Sequence, residues 1–407
     1  MSAFLPAASA GTPEPRVLAV EVEGLTRTRR ETVLHLARVR EGDPWREGLD
    51  AEARQLLLNA GLFYDVEVGA LPAEGGVRLR IVLREKWTLV PVPLVVARDG
   101  ETTWGVTLLE ANLLGSGIRL ITTLSVTEGR PGGTLILINP HAGSGRLQHF
   151  AALTRSDLRG GLWEDDDETG SLRRLRTGVT AALGYRLLAR TSLSAGVRVM
   201  DFSFTDPQGA AVLPPDASER ALALMFRHEG ADQDEERRLG LSAEARFERG
   251  LSLLGDDLGR TAVSGTLRHS LPLAGRTTLT LTGHALWTDS PDHDPGSRPL
   301  ASFLRGFPAD RFRPDRLLGG TVELEVPVAR FRTATLSLVP FADGAVLRDG
   351  SHRFRVSDAR ADTGLSLAVY LRRIALPVLQ FHLAYGFPGG GIPARLLPGS
   401  GFLTSAA

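Results

Sequence analysis

From Thr88 onward the chain alternates apolar and polar residues with a period of two, segment after segment, for about three hundred residues. Leu279, Leu281, Gly283, Ala285 and Trp287 interleave with Thr278, Thr280, Thr282 and His284. Val322, Leu324, Val326 and Val328 interleave with Thr321, Glu323, Glu325 and Pro327, and Leu379, Phe381, Leu383 and Tyr385 with Gln380, His382 and Ala384. Successive strand side chains point to opposite faces, so each segment makes a strand with one apolar and one polar face. About sixteen such segments occur, many around ten residues long, against the ~5–6 usual in globular sheets. A soluble sandwich would bury the apolar faces between two sheets. Strand length and number favour instead a closed antiparallel barrel with lipid outside and a wet lumen. Closure is then obligatory, because lipid offers backbone groups no hydrogen-bonding partner.

Composition narrows the alternatives. The 407 residues include no cysteine, which removes disulfides, thiolate zinc sites, iron–sulfur clusters and cysteine nucleophiles. Forty-seven basic residues balance forty-seven acidic ones, whereas a nucleic-acid binder normally carries a basic excess. No segment approaches the ~20 apolar residues of a spanning helix, while a spanning strand needs only ~9–11. The densest apolar stretch, Thr88 to Ala97, contains Pro91 and Pro93. Aromatic residues, at 6%, are sparse for the interfacial girdles of such barrels. Residues 1–15 read as a disordered tail or a truncated leader. Ala8-Ser9-Ala10 is like a cleavage site, but no basic segment precedes it.

Residues 16–87 form a small mixed domain ahead of the barrel, which takes 88–407. Arg16 to Glu23 reads as a strand. Thr28-Arg29-Arg30-Glu31 fits a capping box opening a first helix. A second helix runs from about Leu49 to Ala60, and Gly61 sits where a left-handed residue ends it. Phe63 to Val68 and Val77 to Arg84 follow as strands. In the latter, Val77, Leu79, Ile81 and Leu83 share one face and Arg78, Arg80 and Arg84 the other. The order is strand, helix, helix, strand, strand.

Four stretches carry a resemblance. The run Leu56 to Val68, with its Gly61-Leu62-Phe63 turn, and the strand-ending Glu85-Lys86 resemble a POTRA domain. Glu110-Ala111-Asn112-Leu113-Leu114-Gly115-Ser116-Gly117 resembles the Asn-Leu-x-Gly-x-Gly turn near the start of the barrel in BamA/TamA-like outer-membrane assembly factors, the POTRA-plus-bacterial-surface-antigen superfamily. Leu304-Arg305-Gly306-Phe307, inside a long connection from Asp289 to Leu318, resembles that family's Arg-Gly-aromatic loop. Phe341-Ala342-Asp343-Gly344, preceded by the strand of Glu323 and Glu325, resembles its Glu-rich and Phe-x-Asp strands. The family spacing is Asp-x-Gly, whereas here Gly344 follows Asp343 directly. The resemblance implies that Arg305 turns into the lumen and meets a carboxylate. The candidates are Glu323, Glu325 and Asp343, since a lumen guanidinium needs such a partner.

The same resemblance implies a bacterial outer-membrane location, with the POTRA-like domain in the periplasm. It implies assembly, insertion or translocation of client polypeptides amid outer-membrane lipid, with possible periplasmic accessory proteins and no nucleic acid. The alternative is a passive or structural barrel that has lost this role. No cofactor or metal is expected. His284 and His293 lack zinc-motif spacing, and the acidic run Glu164 to Glu168 reads as a solvated loop. Neither a P-loop nor a Gly-x-Ser-x-Gly elbow is present, so no enzymatic activity is expected. If the strands close in order, the first and last must pair. Pro91 and Pro93 remove donors from one edge of the first. The last region is rich in Gly and Pro from Gly389 to Gly401; the resemblance implies a terminal aromatic residue, for which Phe402 stands displaced inward unless that signal is absent. These residues define a weakly paired seam, open to β-augmentation by a client strand.

Overall fold

The computed structural model describes residues 15–98, 101–142, 145–164, 167–289, 303–307, 311–348, 354–375, 379–387 and 394–398. The chain divides into two compact units, up to Glu85 and from Lys86 onward.

The first unit runs β1 (Arg16–Glu23), α1 (Arg30–Ala37), α2 (Leu49–Asn59), β2 (Phe63–Ala73) and β3 (Gly76–Glu85). Its sheet has the order β1-β3-β2, with β1 parallel and β2 antiparallel to β3. The alternation in β3 sets the packing: Val77, Leu79, Ile81 and Leu83 are all buried. Ala53 and Leu57 of α2 and Val33 and Leu36 of α1 are buried with them. Each large apolar side chain so buried contributes about 1.5–3 kcal/mol. Gly61 adopts φ +74° and turns the chain so that Leu62 and Phe63 enter this core.

One local expectation fails. Thr28 does not cap α1; the N-cap is Arg29, with no side-chain hydrogen bond. A carboxylate from β3 does comparable work on the approach to the helix. Glu85 accepts the backbone N–H groups of Thr26 (3.2 Å), Arg27 (3.0 Å) and Thr28 (3.0 Å), and the Thr26 hydroxyl at 2.8 Å. A charged acceptor serving three N–H groups is stronger than a neutral hydroxyl serving one.

The second unit is a closed barrel. Its strands are β4 (Leu89–Arg98), β5 (Glu101–Leu113), β6 (Ile118–Thr127), β7 (Arg130–Ala142), β8 (Leu147–Glu164), β9 (Asp167–Leu188), β10 (Thr191–Gly209), β11 (Ala217–Glu229), β12 (Asp232–Asp234), β13 (Arg237–Gly250), β14 (Thr261–Pro272), β15 (Thr278–Thr288), β16 (Arg316–Arg330), β17 (Ala334–Arg348), β18 (Ala359–Leu371), β19 (Leu379–Phe387) and β20 (Ala394–Pro398). The three-residue β12 only extends the hairpin between β11 and β13. Sixteen antiparallel strands therefore form the wall, as the alternation implies. Several exceed the expected ten residues, β9 reaching 22.

The two faces separate as the pattern dictates. Trp104, Val106 and Leu108 of β5, Leu222, Leu224 and Phe226 of β11, and Leu365 and Leu367 of β18 are exposed outward. An apolar surface of this extent needs a lipid or protein cover, and no helix among the described residues is long and apolar enough to cross a membrane. Inside, Val90, Leu109, Ile121, Ile136 and Ala152 are directly opposed in register and form a continuous buried row across β4 to β8. The average hydropathy near zero (−0.03) hides this division, because the split lies between faces and not between segments.

Candidate functional site

The connection from β15 to β16 brings Leu304-Arg305-Gly306-Phe307 against the inner wall. Glu323 lies directly across from Phe341, and Thr321 from Asp343. On adjacent strands, these residues place two carboxylates diagonally about one aromatic ring. Arg305 fills that space. Its Nε and Nη2 donate to the two oxygens of Asp343, each at 2.8 Å, and its Nη1 donates to Glu323 at 2.7 Å. The guanidinium carbon stands 3.5 Å from the centre of the Phe341 ring. A two-pronged pair with a stacked aromatic face suits the planar guanidinium and not a lysine.

Two of the three carboxylates expected to meet Arg305 do so. Glu325 does not: it accepts the Tyr370 hydroxyl at 2.9 Å. It shares the inward face of β16 with Glu323, but two residues displace it by about 7 Å along the strand, beyond the reach of a guanidinium already held by Asp343.

The loop is fixed by packing as well as charge. Leu304 and Phe307 are almost wholly buried, and Phe307 meets the edge of Phe312 at 5.0 Å between ring centres. Arg311 lies 5.2 Å from Phe307 and Phe312 and 5.3 Å from Trp163. Gly306 is required by space: a Cβ there would stand 2.5 Å from the Asp362 Cβ and 2.6 Å from the Gly386 nitrogen. Gly386 reciprocates, since its Cβ would meet the Gly306 oxygen at 2.6 Å and the Phe307 ring at 2.8 Å. Asp362 lies directly across from Asp343 on β18 and is buried, so the pocket holds more carboxylate than one guanidinium neutralises. The arrangement is an ion-pair clamp. No group of three metal-ligating side chains exists among the described residues.

Sequence reasoning missed Phe341 as the platform, Asp362, and the cradle of Gly364 and Gly386. Gly364 leaves room for Phe341, whose ring would lie 2.6 Å from a Cβ. Only the cross-strand register joins these residues, and no local spacing signals it.

The turn after β5 forms as its glycines suggest. Gly115 (φ +73°) and Gly117 (φ +72°) are left-handed, and the buried Asn112 accepts the Gly117 N–H at 2.8 Å.

The seam lies between β20 and β4, which adjoin in the closed ring. Thr88 accepts the Ala111 N–H at 3.0 Å, so even-numbered residues here direct their backbone groups toward β5. Trp87 instead bonds Arg373 and Ala375, both at 2.7 Å, on the other side. Pro91 and Pro93 share that odd parity, so both missing donors face β20. Among the described residues β20 covers Ala394–Pro398. Phe402 lies outside the described residues.

No family model matches the sequence, and neither does any curated protein. Solved structures do. The chain is similar to CdiB from Escherichia coli, with 15% identity and a TM-score of 0.62 over 95% of this chain and 75% of that one. It is also similar to CdiB from Acinetobacter baumannii, at 13%, 0.60, 92% and 71%. A third likeness is to BamA from Haemophilus ducreyi lacking POTRA domains 1–3, at 16%, 0.53, 95% and 84%. The barrel has the BamA- and CdiB-like fold.

Proposed function

We propose that this protein inserts or translocates client polypeptides at the bacterial outer membrane, acting through an openable seam between β4 and β20. The first unit is a POTRA-like periplasmic domain that receives clients, with or without accessory proteins, and the activity needs no enzymatic chemistry and no cofactor. One observation carries the reading. Pro91 and Pro93 both withhold donors from the edge of β4 that faces β20. A junction short of two donors opens at less cost than a fully bonded one, and each edge then offers unpaired backbone to a client strand. The fold shared with BamA and CdiB agrees with this role.

The test is a disulfide across the seam, from a cysteine at position 92 to cysteines scanned over 394–398, in a chain that has none of its own. Oxidation should stop assembly of outer-membrane barrel proteins, and reduction should restore it. Normal assembly by a fully cross-linked chain would defeat the proposal. A passive channel, the other reading, would on depletion alter solute uptake and leave the outer-membrane proteome intact.

A further inference from the structure

The β12–β13 hairpin ends in a two-residue turn, Glu235-Glu236, between Asp234 and Arg237. Neighbouring strands alternate in direction, so this turn shares one end of the barrel with the connections after β14, β16 and β18. An arginine from or next to each of those three connections converges on it: Arg276 and Arg372 in the connections, Arg330 as the last residue of β16. Arg276, Arg330 and Arg372 donate to the same oxygen of Glu235, at 3.0, 2.6 and 3.2 Å. Arg276 also reaches Glu236 at 3.3 Å. Arg330 and Arg372 are 95 and 137 residues from Glu235 in the chain, so the turn reaches across the end of the barrel to strands that are not its neighbours.

Three features mark this contact as occupied and not settled. Three guanidinium groups converge on the two carboxylates of the turn. Glu235 has φ +53°, a left-handed conformation that two-residue hairpin turns normally give to glycine or asparagine. The Glu236 side chain is 2% exposed, and its Oε2 is buried without a hydrogen bond, 4.0 Å from Arg372. The three arginines keep 28–39% exposure and remain within reach of solvent.

We infer that Arg276, Arg330 and Arg372 form an anion site for acidic polypeptide, held shut in the resting chain by the Glu235-Glu236 turn as an internal ligand. The occupant identifies the ligand class: two consecutive glutamates in a hairpin present carboxylates as an acidic segment of another chain would. Exchange of one for the other leaves the pairing unchanged in kind and releases the strained turn. Arg372 belongs to the connection whose Arg373 and Ala375 hold Trp87, ahead of β4. The inference rests on this geometry alone and stands whether or not the seam opens.

The experiment uses the full chain in detergent micelles and fluorescein-labelled hexaglutamate, read by anisotropy. Glu235→Gln should bind the peptide at least tenfold more tightly than wild type, and adding Arg330→Gln should cancel the gain. Glu128→Gln, the same charge change at the opposite end, should leave binding unchanged. In the wild-type chain, saturating peptide should speed hydrogen exchange at the amides of Asp232–Asp234 as the hairpin lifts. Failure of Glu235→Gln to tighten binding, or an equal gain from Glu128→Gln, would overturn the inference. Should Glu235→Gln not fold, the wild-type exchange measurement decides: peptide that leaves the hairpin protected refutes it.

Discussion

Arg305 and Asp343, 38 residues apart in the chain, meet in the lumen through two parallel hydrogen bonds of 2.8 Å. Both are buried, so removing one partner strands the other charge away from water. Breaking such a pair costs about 3–5 kcal/mol. Asp343→Asn should therefore raise hydrogen exchange at residues 303–307 by about a hundredfold or more. Arg305→Lys should do nearly as much, because an ammonium cannot make the two-pronged contact. Unchanged exchange in both variants would show that packing alone holds the loop.

The glycine contact gives a steric test independent of charge. Gly386→Ala places a methyl group 2.6 Å from the Gly306 oxygen and 2.8 Å from the Phe307 ring. The loop should undock while β19 stays paired, since the backbone of β19 is extended. Protease cutting near Phe307, with an unaltered barrel melting temperature, is the expected result.

Glu85 links pH to the stability of the first unit. Burial pushes its carboxyl up, but the backbone and side-chain hydrogen bonds from Thr28 and Thr26 outweigh that and hold it below the ordinary value of 4.5. A depressed acid stabilises the native state fully above its unfolded value, and this is lost as pH falls through the native one. Glu85→Gln should weaken the unit at pH 7, with the gap to wild type closing in acid, below 4.5. Urea unfolding followed at Trp45, with the other four tryptophans changed to phenylalanine, would measure it.

The seam prolines make an opposite prediction, a gain in stability with a loss of function. Pro91→Val with Pro93→Val restores two donors facing β20. At about 0.5–1.5 kcal/mol per hydrogen bond, the barrel should melt higher while client assembly slows. Faster assembly in the tighter variant would contradict seam opening.

How much of this was legible depended on distance along the chain. The alternation in segments such as Thr278–Thr288 was enough to imply a barrel, because a period of two survives whatever the partner strand. Arg305, Glu323 and Asp343 could be nominated from short motifs. Phe341 as platform, and Gly364 and Gly386 as cradle, could not, because their meaning arises when β16 to β19 fall into register. The first helix shows the reverse error. Thr28 to Glu31 had the local form of a capping box, yet Glu85, 57 residues from Thr28, supplied a better acceptor. A local rule lost to a charged tertiary competitor that no spacing could reveal.

The Gly306–Gly386 contact also has a mechanical consequence. The Arg305 loop is bonded to β16 and β17 through Glu323 and Asp343, and pressed onto β18 and β19 through Asp362 and Gly386. It therefore splints four consecutive strands into one stiff panel that ends a single strand short of the closure. Outward load on the wall is not shared around the circumference. It concentrates at the margin of that panel, beside β20 and the closure with β4.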